Sequence, residues 1–309
     1  MPAFRNEFTW SWSRHRCFER CPREYWLHYY GSWGGWAANS DPAVREAYIQ
    51  KKLCSRSAWI GILVHEAVEW VLKQQLAGYG PSPVTVVERF SRKAVQQIED
   101  SKRGMYRFRP SKIVGFVEHY YDHEGQEESW DVTLTELRRQ LVDLPNNRIL
   151  KRTVDVIGRV REVEELKQVS IEGVDVWVSI DALVGDGRGG LSIIDWKTGK
   201  HHSDEKVSAQ LGVYALYVLK SYYTAEQRAA ALDKIRLVFA NLRSGEHKVW
   251  RVMPDDLTQT RRLIRSSSEA MRGKLVSVEK NTARMEDFPM LPAGDKQCTR
   301  CRFKQSCAR

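Results

Sequence analysis

No apolar run in the chain reaches the roughly 18 residues that a helix needs to cross a bilayer. A helical membrane protein is therefore not expected. The first residues, Met1 to Trp12, are polar and aromatic and lack the apolar stretch of a secretion signal. The expected compartment is the cytoplasm. No G-x4-G-K-[ST] phosphate loop occurs, so any unwinding of a duplex must come from a helicase partner. Internal repeats and low-complexity linkers are also missing. Cysteine is scarce, with six in 309 residues. In a reducing compartment these are ligands or buried thiols rather than disulfides.

Basic charge is in surplus. Lysine and arginine number 49 against 39 acidic residues, a net charge of +10. Such a surplus suits partners that carry phosphate, such as nucleic acid. It is also compatible with a surface that is basic only for solubility. Hydrophobic residues at 42% and charged residues at 28% are ordinary for a globular chain.

Periodicity divides the chain into a helical part and a strand-rich part. Trp12, Phe18, Cys21, Tyr25 and Tyr29 predict a helix over 11–30, with Pro22 opening a new turn or kinking the old one. A Gly-, Trp- and Ser-rich loop follows to Asp41. Residues 57–77 read as a strong amphipathic helix, with Ile60, Leu63, Val64, Ala67, Val68, Val71 and Leu72 on one face. Further helices are predicted over 84–103, 110–124 and 131–149. Near residue 152 the pattern changes to short β-branched stretches at 160–171, 174–184 and 190–196. Turn signals separate them at Glu172–Gly173 and Gly185–Asp186–Gly187. A helix at 205–222, strands at 235–242 and 247–253, and a polar helix at 255–273 lead into an irregular tail. The predicted class is α/β: one domain over 1–309, with a mixed-sheet core, a helical insertion and a cysteine-rich tail. Its parts are an N-terminal helix and loop (1–56), a helical region (57–150), the α/β core (151–273) and the tail (274–309).

The most informative stretch runs from Ser179-Ile-Asp-Ala-Leu-Val184 to Ile193-Ile-Asp-Trp-Lys-Thr-Gly199. Asp195 and Lys197 lie two apart on a strand and so share a face. The turn at 185–190 brings Asp181 alongside. Two carboxylates hold a hard cation such as Mg²⁺ or Mn²⁺ through oxygen. A lysine beside them stabilises charge that develops on a phosphate. The competing reading is a salt-bridged Asp–Lys pair at a strand end. Gln210 and Tyr214, four apart on one helix face, add to the set. So does His65, on the apolar face of the 57–77 helix, a candidate ligand through its neutral imidazole.

Gly61…His65, Ile180-Asp181, Ile194-Asp195-Trp196-Lys197-Thr198-Gly199 and Gln210…Tyr214 together resemble the RecB-type branch of the PD-(D/E)XK nucleases, in this order and over nearly the whole chain. The resemblance implies a restriction-endonuclease-like core. It makes His65, Asp181 and Asp195 metal ligands, with the Trp196 carbonyl as a further one. It makes Lys197 the catalytic lysine and has Gln210 and Tyr214 shape the site and contact the DNA strand. Asp195 stands where many relatives have Glu; the family pattern accepts both.

Cys298, Cys301 and Cys307 form C-x2-C-x5-C in a tail that reads as too polar and short to fold by burial alone. Arg309 is among the basic residues around them. A fourth ligand must come from elsewhere. Arg20-Cys21-Pro22 resembles the N-terminal cysteine motif of the iron–sulfur members of the same branch, the AddB-type and CRISPR-adaptation nucleases. The resemblance implies a [4Fe–4S] cluster on Cys21, Cys298, Cys301 and Cys307. Spacing alone suits Zn²⁺ equally. Cys17, one helical turn before Cys21, is the alternative ligand. Cys54 reads as a small buried or semi-exposed residue.

Arg14, Arg16, Arg20 and Arg23 decorate the first helix. Lys102, Arg103, Arg107, Arg109 and Lys112 interleave with Tyr106 and Phe108. Basic residues neutralise phosphates and aromatics stack on bases, so both stretches, with Trp33 and Trp36, are candidates for contact with single-stranded DNA. Each is equally readable as an ordinary solvated face, and the tryptophans as core. The expected function is a divalent-metal-dependent deoxyribonuclease acting on single strands and ends, in repair, recombination or CRISPR and antiviral defence. The alternatives are a non-catalytic DNA-binding subunit and a zinc-stapled RNA-binding protein.

Overall fold

A computed structural model describes residues 5–122, 129–199 and 204–307, with the side chains of 204–208 left out. Residues 123 and 124 of the expected 110–124 helix, the side chain of Ser208 and Arg309 lie outside this description. The chain resolves into two compact units. One comprises residues 1–56, 96–127 and 264–309; the other comprises 57–95 and 128–263.

In the first unit, the helix Trp12–Arg20 stops at Cys21, whose backbone is extended (φ −159°, ψ 113°). Pro22 then opens a second helix, Pro22–Trp26, which Cys21 caps: its sulfur accepts from the Glu24 N–H at 3.4 Å. Proline suits a first helical turn because the N–H it lacks has no partner there. A π-helical turn, Leu27–Gly31, follows. Asp41 caps a helix, Pro42–Lys52, that the sequence reading leaves unassigned. The helix expected over 110–124 shrinks to Val117–Tyr120. Ahead of it, β2 (Gly115–Phe116) pairs in parallel with β1 (Leu53–Cys54). Gly115 permits this: a Cβ there would lie 2.6 Å from the Tyr106 ring and 2.9 Å from Leu53.

The tail is better anchored than its polarity suggests. Phe303 is fully buried and packs with Leu27 and Ala47, against which Cys301 and Cys307 also lie. Arg302 donates from Nη1 to the carbonyls of Lys51 (3.1 Å) and Leu53 (2.8 Å). The arginines of the first helix are not one solvated face either. Arg14 is buried, with its guanidinium over the rings of Phe8 and Tyr29 and donating to the Tyr25 and Tyr30 hydroxyls. Arg23 is buried and donates to the Phe288 carbonyl, and Arg20 pairs with Glu24. Arg16 and the paired Arg20 keep substantial exposure.

The second unit holds the sheet. Its strands, β3 (Val160–Ile171), β4 (Val174–Gly185), β5 (Leu191–Lys197), β6 (Ile235–Asn241) and β7 (His247–Arg251), lie in sequential order. All neighbours are antiparallel except β5 and β6. The β3–β4 turn is the two-residue Glu172–Gly173, with φ of 52° and 71°; a tight hairpin turn of this hand needs positive φ at both positions. At the β4–β5 turn, Asp186 accepts from the backbone of Arg188 and Gly190, which holds its carboxyl below the usual range. The parallel β5–β6 pair requires a crossover, and the helix Asp204–Tyr222 supplies it. Both strands are almost continuously buried, as strands covered on two faces are. Gly212 lets that crossover helix approach the helix Pro254–Arg272: a Cβ would sit 2.3 Å from Thr260 Oγ1. Pro145 breaks the helix expected over 131–149 into Trp130–Asp143 and Arg148–Asp155. Among the described residues no helix is long and apolar enough to cross a membrane.

Candidate active site

The carboxylates and lysine read from the sequence meet where the pairing of β4 with β5 stops, beside Ala182 and Ile194. Lys197 Nζ lies 2.9 Å and 2.7 Å from the two carboxylate oxygens of Asp195. The alternation of a strand requires this shared side, and it turns the buried Trp196 indole to the other. The Trp196 backbone N–H donates to Asp181 Oδ2 at 2.6 Å. On the crossover helix, Gln210 Oε1 faces Lys197 Nζ at 3.4 Å, and Gln210 Nε2 donates to the Tyr214 hydroxyl at 2.7 Å. Lys197 is thus held between Asp195 and Gln210, and Tyr214 fixes the Gln210 amide. Of the residues singled out in this region, all fall within one connected set.

His65 joins from the helix Arg56–Leu76. Its Nδ1 is 3.7 Å from Asp181 Oδ2 and 3.5 Å from Glu164 Oε1. One ligand atom each from His65, Glu164 and Asp181 lie within 4.8 Å of one another, and this is the compact trio among the described residues. Asp195 is engaged with Lys197 instead. Glu164 is the residue that sequence reasoning missed. In Val160-Arg-Glu-Val-Glu-Glu-Leu-Lys167 it reads as one more charge on an outer strand face. Its backbone, however, is left-handed (φ 50°), and the alternation of β3 is broken beside it, with Glu162 and Val163 both buried. Such a conformation in a non-glycine residue costs about 1–3 kcal/mol and re-aims the side chain. No sequence signal announces it.

The electrostatics are those of crowded carboxylates. Asp195 is 1% and Asp181 8% exposed. Burial and the neighbouring Asp195 push the Asp181 carboxyl up to about 8, with His65 opposing. Burial works against an imidazolium at His65, but the hydrogen bond to Glu164 and the charges of Asp181 and Glu164 raise its pKa nonetheless. Burial and the Asp195 and Asp181 charges hold the Tyr214 hydroxyl protonated. Three carboxylates face one ammonium. Their oxygens and an imidazole nitrogen form a donor set that fits a hard divalent cation.

Gly61 lies one helical turn before His65. A Cβ there would come within 2.8 Å of Thr198 Oγ1, so a larger side chain must push aside the residue after Lys197. Gly61→Leu is expected to lower kcat/KM at least about tenfold, because a displacement of about 1 Å near the reacting groups is enough for that. Steady-state kinetics beside an unchanged circular-dichroism spectrum checks it.

Cys21, Cys298, Cys301 and Cys307 all belong to the first unit. Burial pushes the Cys301 thiol up to about 11, with Cys21 and Cys307 among the neighbours that add to it. Cys307 is raised by burial, by Cys21 and by Cys298. Cys21 and Cys307 thus lie within electrostatic reach of Cys301, and Cys21 and Cys298 within reach of Cys307. Arg20 is near Cys301 and Arg23 near Cys307. Cys17 is buried and pushed up to about 12, and Cys54 to about 11, both chiefly by burial.

Carboxylates on three adjoining strands, β3, β4 and β5, with Lys197 paired to one of them, define the class of site. The PD-(D/E)XK nuclease superfamily matches residues 9–308, and the chain belongs to that superfamily. The crystal structure of SSO0001 is similar over 76% of this chain and 93% of that one, at 13% identity and a TM-score of 0.29, a likeness too distant to carry an argument. Among curated proteins none matches.

Proposed function

We propose that this protein hydrolyses DNA phosphodiesters with a divalent cation, Mg²⁺ or Mn²⁺, acting on single strands and ends in the cytoplasm. The observation that carries the reading is the His65–Glu164–Asp181 trio beside the Asp195–Lys197 pair. His65, Asp181, Asp195 and Glu164 are the proposed ligands, with the Trp196 carbonyl as a further one. When bound, the cation supplies positive charge to the phosphate and lowers the pKa of the attacking water. Asp195 and Gln210 orient the Lys197 ammonium, which stabilises the negative charge that grows on the phosphate in the transition state. Tyr214 keeps the Gln210 amide turned so that its oxygen, not its nitrogen, faces Lys197. Duplex substrates call for a partner that unwinds them.

Glu164→Ala removes one proposed ligand at a position that packing does not need. The Mn²⁺ concentration for half-maximal cleavage is expected to rise at least about tenfold. An unchanged requirement would remove Glu164 from the ligand set.

Cation binding is also expected to be proton-linked. With its pKa raised, Asp181 stays largely protonated in the metal-free protein below pH 8. Its contribution to metal-free stability is fully present below about pH 4 and is lost as pH rises towards 8, because the unfolded carboxyl ionises over this range while the folded one keeps its proton. A cation that holds the carboxylate must displace that proton. Apparent Mn²⁺ affinity should therefore climb between pH 6 and 8, and the Tm gained from Mn²⁺ should be larger at pH 8. Calorimetric titration at the two pH values tests this. Equal affinities would place the cation away from Asp181.

For the cysteines we propose a structural [4Fe–4S] cluster on Cys21, Cys298, Cys301 and Cys307, as in the RecB-type and AddB-type branch. Neighbouring thiols beside arginines suit an anionic cluster, which ties the tail to the first helices. Zn²⁺ at the same sulfurs is the alternative; metal analysis of anaerobically purified protein separates the two.

A further inference from the structure

Two stretches that stand apart in the sequence are brought together in the first unit. One is the loop Ser32–Ser40, with Trp33 and Trp36; the other is Met105–Pro110. Arg45, on the helix Pro42–Lys52, bridges them with one guanidinium. Its Nη1 donates to the Gly35 carbonyl at 3.0 Å, and its Nη2 donates to the carbonyls of Arg107 (2.7 Å) and Phe108 (3.3 Å). Gly35 makes the approach possible: a Cβ would lie 2.4 Å from Tyr48 Cβ and 2.6 Å from the Val44 carbonyl. The two segments are thus locked to the same helix and to each other.

What they display is aromatic. Phe108 is 76% exposed, Trp36 45% and Trp33 37%. The two indoles meet edge to face, with centroids 5.0 Å apart, and Trp36 meets Tyr48 in the same way. Large apolar rings fixed in water by a buried scaffold are a standing cost unless something covers them. The charge around them says what. From Ser101 to Val117 the chain carries Lys102, Arg103, Arg107, Arg109 and Lys112 and no acidic residue, and all five are exposed. The facing acid is Glu46, which lies 4.0 Å from Arg107 and also accepts from the Tyr120 hydroxyl. Asp41 is committed to capping its helix. Cationic side chains interleaved with exposed rings match a strand of phosphates carrying unstacked bases. They do not match a duplex, whose bases are stacked away from such contact.

We propose that Trp36 and Phe108, with Trp33 behind and Arg103 and Arg109 beside them, form a stacking platform for single-stranded nucleic acid. This rests on the reading of the substrate as DNA and adds the surface that grips it. Trp36 and Phe108 each take a base face. Arg103 and Arg109 neutralise phosphates on either side. The platform binds without reading sequence, because every base has a face to stack.

The test uses the full chain, a fluorescein-labelled oligo-dT of about 20 nucleotides, long enough to span one such site, and EDTA to prevent cleavage. Trp36→Ala and Phe108→Ala should each weaken binding about tenfold, while Trp36→Phe and Phe108→Tyr largely retain it. The melting temperature should not move for Phe108→Ala, whose ring is exposed, and should fall only slightly for Trp36→Ala, which loses its edge contacts with Trp33 and Tyr48. Arg103→Gln with Arg109→Gln should flatten the salt dependence by about 0.7 per lost phosphate contact. In cleavage, KM should rise for the Ala variants with kcat unchanged. If a Trp36→Ala/Phe108→Ala protein binds within twofold of wild type, the platform is overturned, the nuclease reading stands and the exposed rings pass to a protein partner. Failure of the wild type to bind any oligonucleotide, while Lys197→Ala fails likewise, overturns both.

Discussion

Lys197→Ala is expected to lower kcat by about 10³-fold or more and to leave the fold and DNA binding in place, at a cost in metal-free stability. The reasoning is differential. The ammonium acts on charge that exists only in the transition state, so its removal raises the barrier without loosening the ground-state complex. Loss of one preorganised donor typically costs about 10²–10³-fold. Here a second effect adds to the first. The Lys197 ammonium lies within 3 Å of Asp195, the most buried carboxylate of the site. Deleting it leaves Asp195 and Asp181 to repel each other with His65 alone between Glu164 and Asp181. The variant should need more Mn²⁺ for what activity it keeps, and it should gain more Tm from Mn²⁺ than wild type does. Single-turnover kinetics at saturating DNA gives the first number. A variant that cuts at the wild-type rate would remove Lys197 from the chemistry.

The second large effect is expected at the cysteines. Cys301→Ala should abolish bound iron, or zinc, and destabilise the protein by about 3 kcal/mol or more, since a metal centre that folds a tail contributes its binding energy to stability. Cys301 is within electrostatic reach of Cys21 and Cys307 and packs against the cluster of Leu27, Ala47 and Phe303, so loss of this ligand also touches the tail's apolar anchor. The Phe303 anchor and the Arg302 hydrogen bonds remain in the variant. The tail should therefore loosen rather than detach, which limited proteolysis near 295–307 would report. Cys17→Ala is the control: it leaves the four sulfurs in place and should retain metal, with a loss of stability no larger than that of a small buried side chain. Metal content unchanged in Cys301→Ala would rule out the four-cysteine centre.

Much of the second unit is legible from residues alone. The strands around Glu172–Gly173 and the Gly-rich turn at 185–190 follow from β-branched runs and turn chemistry. Asp195 and Lys197 share a side because a strand alternates. Gln210 and Tyr214 meet because a helix repeats every four residues. Local rules of this kind survive folding intact. Elsewhere a tertiary neighbour decides. Glu164 enters the site through a positive φ that the surroundings impose, and nothing in a run of glutamates marks which one turns inward. Arg14 looks like a phosphate-binding arginine and is buried under Phe8 and Tyr29, because aromatic rings can take a guanidinium in place of an acid. The stretch 110–124 has helical spacing but begins after Pro110 and contains Gly115, where only a glycine fits against Tyr106. The helix Pro42–Lys52 carried a readable start in Asp41–Pro42, yet its weak amphipathic pattern left it without a second signal.

The most direct test of the central claim is cleavage of end-labelled single-stranded DNA by anaerobically purified protein, in Mn²⁺ and in EDTA. The account predicts cleavage in Mn²⁺ only, lost in Lys197→Ala, with a product ladder that shows the polarity. A protein that retains its metal at the cysteines and binds the DNA, yet cuts in neither condition, would contradict it and leave a DNA-binding subunit with a nuclease fold.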